Sequence, residues 1–148
     1  MKLTSLNPGP GWTVTPGHEG GIDIVRGDDD GEYVEAVARY ASGGPLRDAY
    51  PVAAHDVEIR IPRRPRTLAR LAAFLDELGI AVLAADRACR RVVVAVAPDD
   101  LAAITAAESV GFRHVVDVDV PGDELSLLVR EPEWVTQRDA DLDRVPGT

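Results

Sequence analysis

Apolar residues along this chain recur at two spacings, and the spacing changes every ten to twenty residues. In GIDIVRG, Ile22 and Ile24 alternate with polar neighbours, which predicts a short strand. In YVEAVARY, Tyr33, Val37 and Tyr40 fall at i, i+4 and i+7, which predicts a helix. The acids Asp28–Asp30 precede it, where a helix dipole favours negative charge, and ASGGPL ends it. HDVEIRI (55–61) sets Val57, Ile59 and Ile61 on one face and Glu58 and Arg60 on the other, a strand. Leu68, Leu71, Leu75 and Leu78 then form a helical stripe, with Gly79 as its stop. IAVLAAD has no period and reads equally as a strand or as more of that helix.

RRVVVAVAP is a continuous β-branched run, the pattern of a strand buried on both faces. DDLAAITAAESVGF predicts a third helix, with Asp99 or Asp100 as N-cap and Gly111 just past its end. HVVDVDV and ELSLLVRE are strands joined at PGD, a hairpin. The predicted order is β-α-β-α-(β)-β-α-β-β, an α/β layering with helices over a sheet. Residues 22–133 form one domain. Residues 1–21, rich in Pro and Gly, form an irregular lead-in with Trp12 pinned to the body, and 134–148 form a polar tail.

The composition narrows the function. Aromatic residues make up only 5% of the 148, so the core is built from Val, Leu, Ile and Ala. IAVLAA and VVVAVA are too short to span a bilayer, and the N-terminus lacks the apolar stretch of a signal peptide. A single cysteine, Cys89, excludes an internal disulfide and fits a reducing, cytoplasmic setting. The net charge of -9 disfavours nucleic acid and anionic membrane as partners. That charge is uneven. Residues 57–98 carry 8 basic and 4 acidic side chains, whereas both flanks are acidic.

Five of those basic groups, Arg60, Arg63, Arg64, Arg66 and Arg70, lie within RIPRRPRTLARL. A strand entering a helix exposes unpaired N–H groups that suit a pyrophosphate, and Arg64, Arg66 and Arg70 add fork-shaped donors. The same arginines also fit a solvated helix start paired with carboxylates, and the spacing leaves both readings open. His18, His55 and His114 have no metal-ligand spacing to one another or to Cys89, so no metal site is expected.

Two blocks resemble the GNAT superfamily of N-acyltransferases. Its cofactor signature, Q/R-x-x-G-x-G/A at a helix start, is met by Arg64-Pro65-Arg66-Thr67-Leu68-Ala69, with Thr67 in place of the central glycine. Its later helix carries an Asn at the start and Y-E-x-x-G-F at the end. Here Asp100 stands at the Asn, Glu108, Gly111 and Phe112 match, and Ala107 replaces the Tyr. The closing hairpin is also similar, so the resemblance covers about residues 55–131. It implies a single mixed-sheet GNAT-like domain with a strand-helix-strand-helix core and a C-terminal hairpin.

By the same resemblance, acetyl-CoA or another acyl-CoA is held by Ile61, Arg64, Arg66, Thr67, Leu68, Ala69, Arg70 and Asp100. Glu58 or His55 serves as the base toward a small-molecule or protein amine. A non-catalytic member of the family would instead bind a partner or act as a subunit, and a homodimer or a protein partner is expected in either case. VEIRIPRRPRTLARLAAFLDELGIAVLAAD also resembles the first half of an ACT domain, an amino-acid-binding module without enzymatic activity. That resemblance implies IAVLAAD as a strand in a four-stranded antiparallel sheet.

Overall fold

The computed structural model describes residues 6–7, 11–17, 21–27, 33–44 and 46–132. Seven strands form one mixed sheet: β1 (Trp12–Pro16), β2 (Ile22–Gly27), β3 (Tyr33–Tyr40), β4 (Val57–Arg63), β5 (Val92–Val96), β6 (Arg113–Val120) and β7 (Asp123–Arg130). The helices are α1 (Leu46–Ala49), α2 (Leu68–Ala85) and α3 (Leu101–Ser109). Strand order is β1-β2-β3-β4-β5-β7-β6. Every neighbouring pair is antiparallel except β4 and β5, the two strands joined through α2.

Helices α2 and α3 cover one face. There Ile22, Ile24, Ala36, Val57, Ile59 and Val94 pack under Leu71, Phe74, Leu75, Leu78 and Ala107. The other face is closed over β5 and β7 by a smaller cluster containing Leu46, Val93, Ala95, Leu127 and Val129. Val92–Ala95 are therefore buried on both sides, as the unbroken apolar run predicts.

Residues 33–40 are a strand, not the predicted helix. Val34, Ala36 and Ala38 are buried at every second position, and β3 pairs with β2 on one side and β4 on the other. A ladder on both sides pairs most of its backbone, and that outweighs a helical spacing carried by only three residues. Residues 12–16, expected to be irregular, pair with β2 in antiparallel register. Trp12 packs on Phe74 at 4.6 Å between ring centroids. The expected acidic helix start at Asp28–Asp30 and the tail from residue 134 lie outside the described residues.

Helix α2 runs straight through Gly79 to Ala85, so IAVLAA is helical. A Cβ at position 79 would lie 3.2 Å from Arg130 Nη1 and 3.4 Å from Phe112 Cζ. The glycine serves close approach of neighbouring elements rather than helix termination. Gly111 does stop α3, with φ of +93°.

Candidate functional site

The parallel ladder between β4 and β5 is short. It pairs Val57 with Val92, Glu58 with Val93 and Ile59 with Val94, and then ends. Both strands continue, β4 beside β3 as far as Arg63 and β5 beside β7 as far as Val96. Local sequence turns β4 aside. Pro62 has no N–H to give a ladder. Opposite Glu35–Val37 the register shifts by one residue, and such a bulge bends its strand.

The strands part around a cleft of about 260 Å³. Its apolar lining includes Ile61, Leu71, Leu75, Val94, Val96, Ala103 and Leu125, and its charged groups are Arg60, Arg64, Asp100 and Asp123. Ile61, Leu71 and Ala103 belong to the helix-side core, whereas Ala95 and Leu125 belong to the opposite one. The cleft therefore passes through the sheet from one face to the other.

At the diverging strand ends, Arg64 Nη1 donates to both carboxylate oxygens of Asp100, at 2.6 and 2.7 Å. Asp100 is also the N-cap of α3, accepting from the Ala103 N–H at 3.2 Å. Thr67 is the N-cap of α2, and its Oγ1 accepts the Arg70 N–H at 3.2 Å. One of the first-turn donors that could meet a phosphate is thus already taken by the residue standing where the family motif has glycine.

Of the residues expected at the cofactor site, Ile61, Arg64 and Asp100 line the cleft. Arg66, Leu68 and Ala69 are exposed at the start of α2, outside the lining. Arg70 borders a different cavity, of about 300 Å³, together with Arg26, Pro65, Phe74 and Glu77.

Neither residue expected to be the base lines the cleft. Glu58 is 1% exposed, its Oε2 accepts from Arg39 Nε at 2.7 Å, and its Oε1 lies 3.6 Å from Arg60 Nη2. His55 precedes β4 and bonds through Nδ1 to Asp86 Oδ2 at 2.8 Å. Asp86 caps the C-terminus of α2, whose 18 residues put it roughly 27 Å from Thr67 at 1.5 Å per residue. Burial alone would raise the Asp86 carboxyl, but hydrogen bonds from His55, Tyr40 and the Ala88 N–H outweigh it and lower the pKa. Tyr40 is pushed up to about 12, first by burial and then by its bond to Asp86. Tyr40, His55 and Asp86 form a hydrogen-bonded group at the far end of α2.

Sequence reasoning missed Arg60 and Asp123 as cleft residues. Arg60 sits in an alternating strand pattern that reads as a solvated face, and Asp123 reads as a turn residue. The signal for the cleft was Pro62, a proline near the end of an otherwise central strand.

This architecture is GNAT-like in fold: a seven-stranded mixed sheet with a single parallel pair that splays beside two helices. Solved structures match it over 74–82% of the chain. An uncharacterized protein (bh2621) from Bacillus halodurans superposes with a TM-score of 0.69 at 15% identity, covering 82% of this chain and 64% of that one. This chain thus spans slightly under two thirds of that protein's length. The aminoglycoside acetyltransferase AAC(6')-Ib, in complex with coenzyme A and kanamycin, gives 0.66 at 16% identity over 81% of this chain and 71% of that one. A putative phosphinothricin N-acetyltransferase gives 0.54 at 16% identity, over 74% and 70%. No protein-family model matches the sequence, and no curated protein matches it.

Proposed function

We propose that this chain binds an acyl-CoA between β4 and β5 and transfers the acyl group to an amine. The observation that carries the reading is the early end of the β4–β5 ladder after Ile59 and Val94. It leaves two strand edges facing an apolar, through-sheet cleft, which suits a slender, amide-bearing arm such as pantetheine. Ile61, Leu71, Leu75 and Val96 would contact that arm, and Arg64 would reach the phosphates once it leaves Asp100. The neighbour solved with coenzyme A and kanamycin supports a small-molecule amine as acceptor.

The thioester supplies an activated acyl group, and the protein must orient it and accept a proton from the amine. Asp123 is the better placed proton acceptor than Glu58 or His55. It lines the cleft, and among the described residues it has no ion pair, its Oδ1 accepting only the Glu124 N–H at 2.9 Å. A second reading, cofactor binding without turnover, is favoured by Ala107. This residue is fully buried and brings no hydroxyl where the family's Tyr would stand.

Calorimetric titration with acetyl-CoA, followed by an assay of CoA release with a panel of amines, separates the two readings. Binding with turnover supports transfer, and binding alone supports the second reading. No heat of binding up to about 1 mM ligand sinks both.

A further inference from the structure

Among the described residues the cleft holds one cation, Arg60, that lacks a carboxylate of its own. Arg64 is neutralised by a two-oxygen contact with Asp100. Among the described residues Arg60 has only Glu58, and Glu58 already accepts the Arg39 N–H at 2.7 Å. Two guanidinium groups therefore share one buried carboxylate. The Arg60–Glu58 contact, at 3.6 Å, is an ion pair without a hydrogen bond. The Nε and Nη2 atoms of Arg60 and Oε1 of Glu58 are buried with no hydrogen-bond partner among the described residues. Buried donors left unmade in this way are uncommon in folded proteins, and an ionic acceptor is the group that best completes them.

The position is as informative as the charge. Arg60 shares the β4 face of Glu58, away from α2 and α3, and its side chain is 30% exposed and lines the cleft. A cofactor entering past the start of α2 would bring its acyl end through the sheet toward this residue. An acetyl group ends in a methyl and offers a guanidinium only the neutral carbonyl oxygen of its thioester. A carboxylate would take a fork of N–H bonds and balance the extra charge. The second cleft carboxylate, Asp123, is anchored to the Glu124 N–H at the hairpin rather than to Arg60.

We propose that Arg60 is a specificity residue that binds a substrate carboxylate at the end of the cleft away from α2 and α3. The inference rests on the acyl-CoA reading of that cleft. The carboxylate has two chemical sources, a dicarboxylic acyl group or an amino-acid acceptor, and the experiment separates them. Calorimetry compares CoA, acetyl-CoA and succinyl-CoA on the wild-type chain, on Arg60→Gln and on Arg60→Lys. A second arm, at saturating CoA, compares glycine with glycinamide.

A preference of about 10- to 100-fold for the carboxylated ligand in one arm is expected. It should collapse in Arg60→Gln, return in part in Arg60→Lys, and leave CoA affinity within about twofold of wild type. The arm that shows it identifies the source. CoA binding without an Arg60-dependent preference in either arm overturns the carboxylate proposal alone. Absence of CoA binding removes the acyl-CoA reading and this inference with it.

Discussion

Arg64 and Asp100 join the ends of two diverging strands through a contact of 2.6 and 2.7 Å. A phosphate that recruits Arg64 must displace Asp100. Asp100→Asn keeps an oxygen to cap α3 and removes the competing charge, so CoA affinity should rise by about 3- to 10-fold, whereas Arg64→Ala should lower it. Titration calorimetry at low salt reads both. Equal losses in the two variants would mean that Asp100 helps to bind the cofactor rather than opposing it.

The Thr67 hydroxyl occupies the Arg70 N–H. Thr67→Gly should free that donor at a cost of only a few tenths of a kcal/mol, and Thr67→Ala should cost about 1 kcal/mol through loss of the cap. Urea denaturation measures the costs. If the hydroxyl blocks the phosphate, CoA affinity increases in the glycine variant. An unchanged affinity would place the pyrophosphate elsewhere.

Glu58 holds Arg39 and Arg60 from a fully buried position. Glu58→Ala strands two guanidinium groups, and breaking a buried pair in this way costs about 3–5 kcal/mol. Denaturation midpoints should drop accordingly, with Glu58→Gln less affected. A stable Glu58→Gln that binds acetyl-CoA normally yet has lost transfer activity would restore Glu58 as the base.

Cys89 and Tyr40 set the alkaline limit. Burial, before any other cause, pushes the Cys89 thiol up to about 12 from an ordinary 9. Tyr40 also rises to about 12. The native state thus keeps protons that the unfolded state releases, so the contribution of these two groups to stability is full below pH 9 and is lost as pH climbs toward 12. Thermal melts across that range should show a shallower decline in Cys89→Ala and in Tyr40→Phe. At pH 8 the native thiol should resist a disulfide reagent that titrates it after unfolding.

The central β4-α2-β5-α3 unit and the closing hairpin were legible because each element carries its own period or cap, such as Leu71–Leu75–Leu78 and the Asp100 cap. In the first half only β2 was, as the strand read from GIDIVRG. Val34, Ala36 and Ala38 form a weakly hydrophobic alternation that becomes decisive only when β2 and β4 lie on either side. Gly79 looks like a stop until Phe112 and Arg130, brought from 33 and 51 residues away, press against it. Glu58 reads as a candidate base on the polar side of its strand because Arg39 comes from another strand, and the sequence does not announce that contact. The arginine-rich stretch was correctly tied to a helix start. Its members nevertheless separate, with Arg60 and Arg64 in the cleft and Arg70 beside another cavity.

Three residue pairs join β4 to β5. On one side lie the antiparallel strands β1 to β4, and on the other β5, β7 and β6. The sheet is in effect two leaves sharing a narrow spine, with α2 as the strap between them. A guest lodged at the spine can be accommodated by a change in the angle between the leaves while each keeps its own ladders. Hydrogen exchange at Ile59 and Val94 would then report on the guest more sensitively than exchange anywhere within either leaf.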